Sequence, residues 1–195
     1  MKFRTILLFG APGAGKGTQG KILGTIPGFF HCACGDIFRN LSMDHPMGRL
    51  FVEFAGKGKL VPDEPTVELW RKHIESAVVQ GTFQPEKDWL VLDGIPRNPT
   101  QVEMLRGTLD VRALLWLTCS DMSKMVERLQ RRALRENRLD DANIEVIQRR
   151  LQTYEKETRS VLECYGPGLV RQIDSTLTPL GVLRQILDIV AKLEG

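Results

Sequence analysis

The feature that most constrains this chain is a glycine-rich run of ten residues, Gly10-Ala11-Pro12-Gly13-Ala14-Gly15-Lys16-Gly17-Thr18-Gln19. It follows a short apolar segment, Ile6-Leu7-Leu8-Phe9, and precedes a stretch that can be helical. Strand, glycine turn with lysine, then helix is a context that cradles phosphate. The glycines let backbone N–H groups converge on an anion, and the helix turns its positive end towards it. Lys16 is then placed to reach the β- and γ-phosphates of a nucleoside triphosphate. One position departs from the general motif. After Gly-Lys stands Gly17, where a Ser or Thr hydroxyl ordinarily holds Mg²⁺, and Thr18 comes one place late. Either the match is accidental or the chain belongs to a subclass that holds its metal differently.

A chain of 195 residues makes one domain with a substantial core, with room for small inserted subdomains. The net charge of +3 is too mild to point to nucleic acid. Cys32, Cys34, Cys119 and Cys164 form no C-x₂-C pair, and His31, His45 and His73 have no ligand spacing, so no zinc site or disulfide framework is expected. The apolar core Ile6–Phe9 is shorter than the ~7–15 residues of a signal-peptide h-region, and no run approaches the ~18 of a membrane span. The cytoplasm is the expected compartment.

Apolar runs recur at Phe3–Phe9, Phe29–Cys32, Trp89–Leu92, Ala113–Thr118 and Leu169–Ile173. They are nearly continuous rather than alternating, as strands buried on both faces are. Longer helical patterns lie between them, so an α/β fold with a parallel sheet of about five strands is expected, its ligand outside the strands' carboxyl ends. Residues 33 to 88 hold too much helix for one crossover, and a small helical insertion is read over about Ala33–Glu64. Arg132–Asp141 is a short polar segment between two helices. Ser120 or Asp121 is the expected N-cap of the first, and the second is read over about Ala142–Tyr165. The last helix starts near Pro179 with Leu180, Leu183, Ile186, Leu187 and Val190 at core-facing spacing. Gly20 and Gly24 weaken the helix after the loop, and close approach of another backbone is the expected reason for at least one of them.

Arginines gather beside the glycine turns and in the polar segment: Arg39, Arg97, Arg128, Arg131, Arg132, Arg135, Arg138, Arg149 and Arg150. Guanidinium groups bind two phosphate oxygens at once, and this many suggests more phosphate than one nucleotide carries. Arg131 and Arg135 read as a solvated basic face. With these residues the chain resembles the adenylate kinase family of nucleoside monophosphate kinases, from the loop to the last helix. Gly10–Gln19 is similar to the family's loop, including Gly then Thr after Gly-Lys. Cys34-Gly35-Asp36-Ile37-Phe38-Arg39 and Gly58-Lys59-Leu60-Val61 resemble its monophosphate-site segments. Asp93-Gly94-Ile95-Pro96-Arg97 with Gln101 resembles a further motif. Arg138-Leu139-Asp140-Asp141, with Arg150-Leu151-Gln152-Thr153-Tyr154, looks like the lid edge and the helix after it.

The resemblance implies a three-layer P-loop NTPase fold: a five-stranded parallel sheet flanked by helices, with a monophosphate-binding insertion over about 33–64 and a short lid over about 132–140. It implies transfer of a phosphoryl group from ATP, with Mg²⁺ and no zinc, to AMP, giving two ADP, by a monomer. Gly13, Ala14, Gly15, Lys16, Gly17 and Thr18 would hold the ATP phosphates, and Arg128 would lie against its adenine. Cys34, Arg39, Lys59, Leu60, Val61, Gly94, Arg97 and Gln101 would form the AMP site, Gln101 reading the base edge. Lys16, Arg97, Arg132, Arg138 and Arg150 would be catalytic, and Asp93 would act on Mg²⁺ through water. Counting from Asp141 points to Arg149 as the last clamp, whereas the following Leu-x-x-Tyr points to Arg150, which is preferred. Asp140 and Asp141 would pair with arginines or cap the next helix. Ala33-Cys34 replaces the family's Ser-Thr, removing a hydroxyl near the AMP base, and Ile95 replaces a Phe. Asn98 is common in the UMP/CMP branch, which usually has Asn where this chain has Gln101, so AMP is favoured over UMP or CMP. A catalytically weak nucleotide-binding paralogue is the remaining alternative. A GTPase is disfavoured, since no Asn-Lys-x-Asp motif occurs.

Overall fold

The computed structural model describes residues 2–136, 138, 141 and 143–194, the last by its backbone only. Leu139 and Asp140, expected at the lid edge, lie outside the described residues. Five strands, β1 (Phe3–Gly10), β2 (Phe29–Ala33), β3 (Trp89–Asp93), β4 (Leu109–Thr118) and β5 (Val170–Asp174), form one parallel sheet in the order β2-β3-β1-β4-β5. The helices are α1 (Lys16–Leu23), α2 (Cys34–Arg39), α3 (Pro46–Gly56), α4 (Asp63–Val79), α5 (Pro99–Leu105), α6 (Met122–Glu136), α7 (Ile144–Thr153) and α8 (Pro179–Glu194).

The central strand shows why continuous apolar runs were the right signal. Side chains alternate across a strand, so a strand covered on both sides needs apolar residues at every position. Leu7 and Phe9 join Leu90, Leu92, Leu114 and Trp70 in one core, while Ile6 and Leu8 join Val91, Leu115, Leu117 and Ile186 in a second on the other face. The rule fails at the edge. In β5 Arg171, Gln172 and Asp174 are exposed, because an edge strand has little to cover it. Strand β4 starts four residues before the expected Ala113. Arg112 is an extra residue in its pairing, since Thr5 faces Val111 and Ile6 faces Ala113.

Two helical expectations need correction. The helix read over Ala142–Tyr165 is α7 followed by a π-helical turn, Tyr154–Thr158, and 3₁₀ turns, Arg159–Cys164. Tyr154 in the π-helical turn and Val161 in the 3₁₀ turns are both buried in the first core. In α8 the buried stripe is Val182, Ile186 and Val190, four apart, whereas Leu180 and Leu187 face outwards. Of the two glycines, Gly20 faces the imidazole of His31, while Gly24, the C-cap of α1, is approached by the β2 chain at His31, as expected for at least one of them. A methyl at Gly20 would fall on the ring of His31, and one at Gly24 would lie 2.7 Å from the His31 Cβ. The His31 Nε2 is buried without a hydrogen-bond partner, and burial lowers its pKa, so the ring sits against α1 as a neutral wedge.

Gly20→Ala should therefore destabilise the protein by about 1–3 kcal/mol through overpacking, although alanine is the better helix former by about 1 kcal/mol. In a His31→Ala background the same change should become neutral or stabilising. Urea denaturation of the four proteins measures the reversal.

Candidate active site

Strand ends position the site. The carboxyl ends of β1 and β3, beside each other at the centre of the sheet, deliver the glycine loop and Asp93 to one edge. Ligands in such sheets bind there, where the connections diverge. The loop must pass close under its neighbours. A methyl at Gly13 would lie 2.8 Å from the Met125 carbonyl oxygen, and Gly13 and Gly15 hold φ of 85° and 96°, which other residues rarely adopt. Gly15 is also the N-cap of α1, with no side-chain cap, so the first N–H groups of that helix keep their capacity for an anion.

Lys16 folds back over the loop, its Nζ donating to the carbonyls of Gly10 at 2.7 Å and Ala11 at 3.1 Å. Its pKa is lowered from 10.5 to about 8, first by burial. Asp93 opposes that shift, while Arg97, Arg132 and Arg150 add to it. Gly17 is no defect in this setting. A methyl there would stand 3.7 Å from the Asp93 Oδ2, so the missing side chain leaves the first turn of α1 open towards that carboxylate.

The residues expected to hold the two nucleotides, with Asp93, line one cleft of about 590 Å³. The loop residues Gly13 to Thr18 form its floor with Asp93 and Gly94. Helix α2 brings Cys34 and Arg39, the segment after α3 brings Lys59, Leu60 and Val61, and the turn after β3 brings Arg97 and, on α5, Gln101. Arg128 and Arg132 come from one face of α6, Arg138 from beyond it and Arg150 from α7. Arg149 is not among the residues lining the cleft; it is exposed and paired with Glu145, whereas Arg150 lines the cleft.

Aspartates hold this array of cations. Asp141 is fully buried and accepts from Arg132 Nε at 2.7 Å and Nη2 at 2.5 Å, and also from Arg150. Of the two roles expected for it, pairing is the observed one, because Asn143 caps α7 by accepting from the Glu145 N–H. Asp121 caps α6 in the same manner, accepting from the Lys124 N–H at 3.1 Å. Asp36 accepts from Arg39 at 3.0 Å and from Arg138 at 3.3 Å, joining α2 to the segment after α6. Arg39 also lies over the Phe51 ring of α3. Arg97 turns its Nε back to the Gly94 carbonyl at 2.8 Å. Cys34, where a hydroxyl was missed, is a buried neutral thiol whose pKa burial pushes up to about 11.

Some participants were not legible in advance. Arg131 and Arg135, read as a solvated face, are exposed but stand on the rim of the cleft. Asp36 was quoted only as part of a motif, and its partner Arg138 is 102 residues away, so no spacing could have linked them. Ser175, Leu177 and Pro179, beyond β5, close the far end.

A parallel sheet with a glycine-lysine loop at its central strand, facing a ring of arginines, defines a P-loop protein built for phosphoryl groups. A sequence profile of adenylate kinase matches residues 8–168. The chain is 37% identical to an adenylate kinase of Cyanothece sp. over 97% of this chain and 96% of that protein. It is 37% identical to an adenylate kinase of Micrococcus luteus, over 88% and 82% respectively. It is also 30% identical to the UMP-CMP kinase of Bos taurus, over 98% and 99%. The chain belongs to the adenylate kinase family and is a nucleoside monophosphate kinase, a transferase.

Lys16 supplies a pH test. Burial lowers its pKa to about 8, and a bound triphosphate would favour the charged form. ATP binding should accordingly take up protons near that pH and weaken as pH rises through it. Calorimetry in buffers of different ionisation enthalpy measures the uptake, which Lys16→Arg should abolish.

Proposed function

We propose that the protein catalyses MgATP + AMP ⇌ 2 ADP. The observation that carries this reading is the one cleft in which the phosphate loop, eight arginines from five segments of chain and the Gln101 amide converge. That set suits two nucleotides laid end to end, with more positive charge than one triphosphate needs. In this reading Lys16 and the loop amides hold the ATP phosphates, and Arg128 lies against the ATP adenine. Arg39 and Arg97 hold the AMP phosphate. Lys59, Leu60 and Val61, with Cys34 and Gly94, follow its ribose and base, and Gln101 reads the base edge. Arg132, Arg138 and Arg150 surround the migrating phosphoryl group. Residues 33–64 serve as the monophosphate-binding insertion and about 132–140 as the lid, closing over a core formed by the rest and keeping water out.

No general base is needed. The nucleophile is a phosphate oxygen that is already anionic at neutral pH, so the protein's work is in-line positioning and neutralisation of charge on the transferring group. The donors present suit Mg²⁺, a hard cation that keeps several waters: Asp93 is a carboxylate facing the open side of Gly17, with the Thr18 hydroxyl next along the chain. Asp93 would hold it through water, and the ion bound with ATP supplies charge neutralisation on the phosphate oxygens.

The pyrimidine reading has a specific basis in the UMP-CMP kinase relatives and in Asn98. A coupled assay offering ATP with AMP, UMP, CMP or GMP in turn separates the two. ADP formation fastest with AMP is expected, and a higher kcat/KM for UMP or CMP would overturn the assignment. A chain that turns over no acceptor is a binding protein instead. Arg97→Ala should lower kcat by two or more orders of magnitude, about 3 kcal/mol or more of transition-state stabilisation, while ATP affinity measured by calorimetry stays within a few-fold.

A further inference from the structure

Gln101 is almost completely buried, 1% exposed, yet it lines the cleft, and its amide is held from two sides. The Oε1 accepts from the Arg97 backbone N–H at 2.8 Å, and the Nε2 donates to the Asp63 Oδ1 at 2.8 Å. The same Asp63 oxygen accepts from the Asn98 Nδ2 at 2.8 Å, and the Asn98 Oδ1 accepts from the Gln101 backbone N–H at 2.9 Å, capping α5. These partners leave no freedom in the orientation of either amide. A backbone N–H can only donate and a carboxylate oxygen can only accept, so each amide has one orientation that satisfies both neighbours. Turning the Gln101 amide over would set its NH₂ against the Arg97 N–H and its oxygen against the Asp63 carboxylate. Two buried hydrogen bonds would become two repulsions. Asp63 itself, the first residue of α4, is not among the residues lining the cleft.

An amide has two acceptor sites and two donor hydrogens, so the locked Gln101 keeps one lone pair and one N–H, in a fixed order. Bases differ in that order along the edge beside the exocyclic group. Adenine and cytosine offer an amino donor next to a ring-nitrogen acceptor. Hypoxanthine, guanine and uracil offer an oxo acceptor next to a ring N–H donor. An amide free to turn over complements either set, whereas a locked one complements only one.

We propose that Asp63 is a specificity-positioning residue: by fixing the amide of Gln101 it makes the acceptor site select nucleoside monophosphates with amino-substituted bases over their oxo counterparts. This rests on the reading that Gln101 faces the acceptor base, and it deepens that reading by naming what sets the preference. It holds for a purine or a pyrimidine site, since the amino–oxo distinction separates AMP from IMP as it separates CMP from UMP.

AMP and IMP form the cleanest pair, because they differ in the exocyclic group and the adjacent ring proton and hardly in size. The kcat/KM ratio of AMP to IMP is measured for the wild-type protein and for Asp63→Leu, Asp63→Ala and Asp63→Asn, with thermal denaturation alongside. Leu and Ala remove the acceptor that opposes the turned amide. The ratio should fall about tenfold or more in each, the scale of losing one charge-assisted hydrogen bond, mainly through better use of IMP. Asn retains an oxygen for both amides and should keep the wild-type ratio. If Leu and Ala lower kcat/KM for AMP and IMP by the same factor, Asp63 merely supports α4 and the proposal is overturned. It is equally overturned if Asn loses the ratio as Leu does. Should either apolar variant fail to fold, the other and Asp63→Asn decide. Failure of the underlying reading looks different: the wild-type protein would then show no preference for amino over oxo acceptors.

Discussion

The site depends on holding many positive charges close together before any phosphate arrives. Lys16 and eight arginines share one cleft, and like charges at such spacing oppose folding unless counter-charges are built in. Three aspartates supply them, each in a different way. Asp141 is buried and ties Arg132 on α6 to Arg150 on α7. Asp36 ties Arg39 on α2 to Arg138. Asp93 stands beside the loop, where it offsets part of the burial that lowers the Lys16 pKa. The arginines are thereby aimed into the cleft rather than splayed to solvent, and orientation set in advance is what electrostatic catalysis requires.

The sheet makes this crowding possible. Its five strands run in one direction, so their carboxyl ends form a single edge from which the loop, Asp93 and the start of α2 all emerge. Covering both faces of the sheet requires apolar residues at successive positions, which Ile6 to Phe9 and Leu90 to Leu92 provide, and the same burial fixes the strand ends rigidly. Polar precision at the edge rests on the apolar stack beneath it. The Asp63–Gln101–Asn98 network extends the same logic to the proposed acceptor side, where hydrogen-bond direction rather than charge sets orientation.

Much of this was legible from residue order because its causes are local. A glycine that must hold positive φ, a lysine at a helix start and a strand apolar on both faces leave marks within a few residues of one another. The misreadings share a different cause. At Gly20, only the packing of β2 against α1 shows that the His31 ring fills the space. In α8, several leucines at plausible spacing obscured which stripe faces the sheet, and Leu180 and Leu187 lie on the other side. The π-helical turn after α7 carried no signal that was read from the residue order.

From the sequence alone came the phosphate loop and the sheet class, because each follows from steric and burial rules acting over short stretches of chain; the other cleft residues named in advance came from the resemblance to a family, not from those rules. Tertiary structure decided the pairings: Asp141 with Arg132 and Arg150, Asp36 with Arg138, Asp63 with Gln101 and Asn98. Hydrogen bonds and ion pairs act over about 3 Å, whereas these partners are separated by 9 to 102 residues of chain. Their meeting is a property of how the helices dock on the sheet, and so is Gly17, which reads as a missing hydroxyl in the sequence and as open space before Asp93 in the fold.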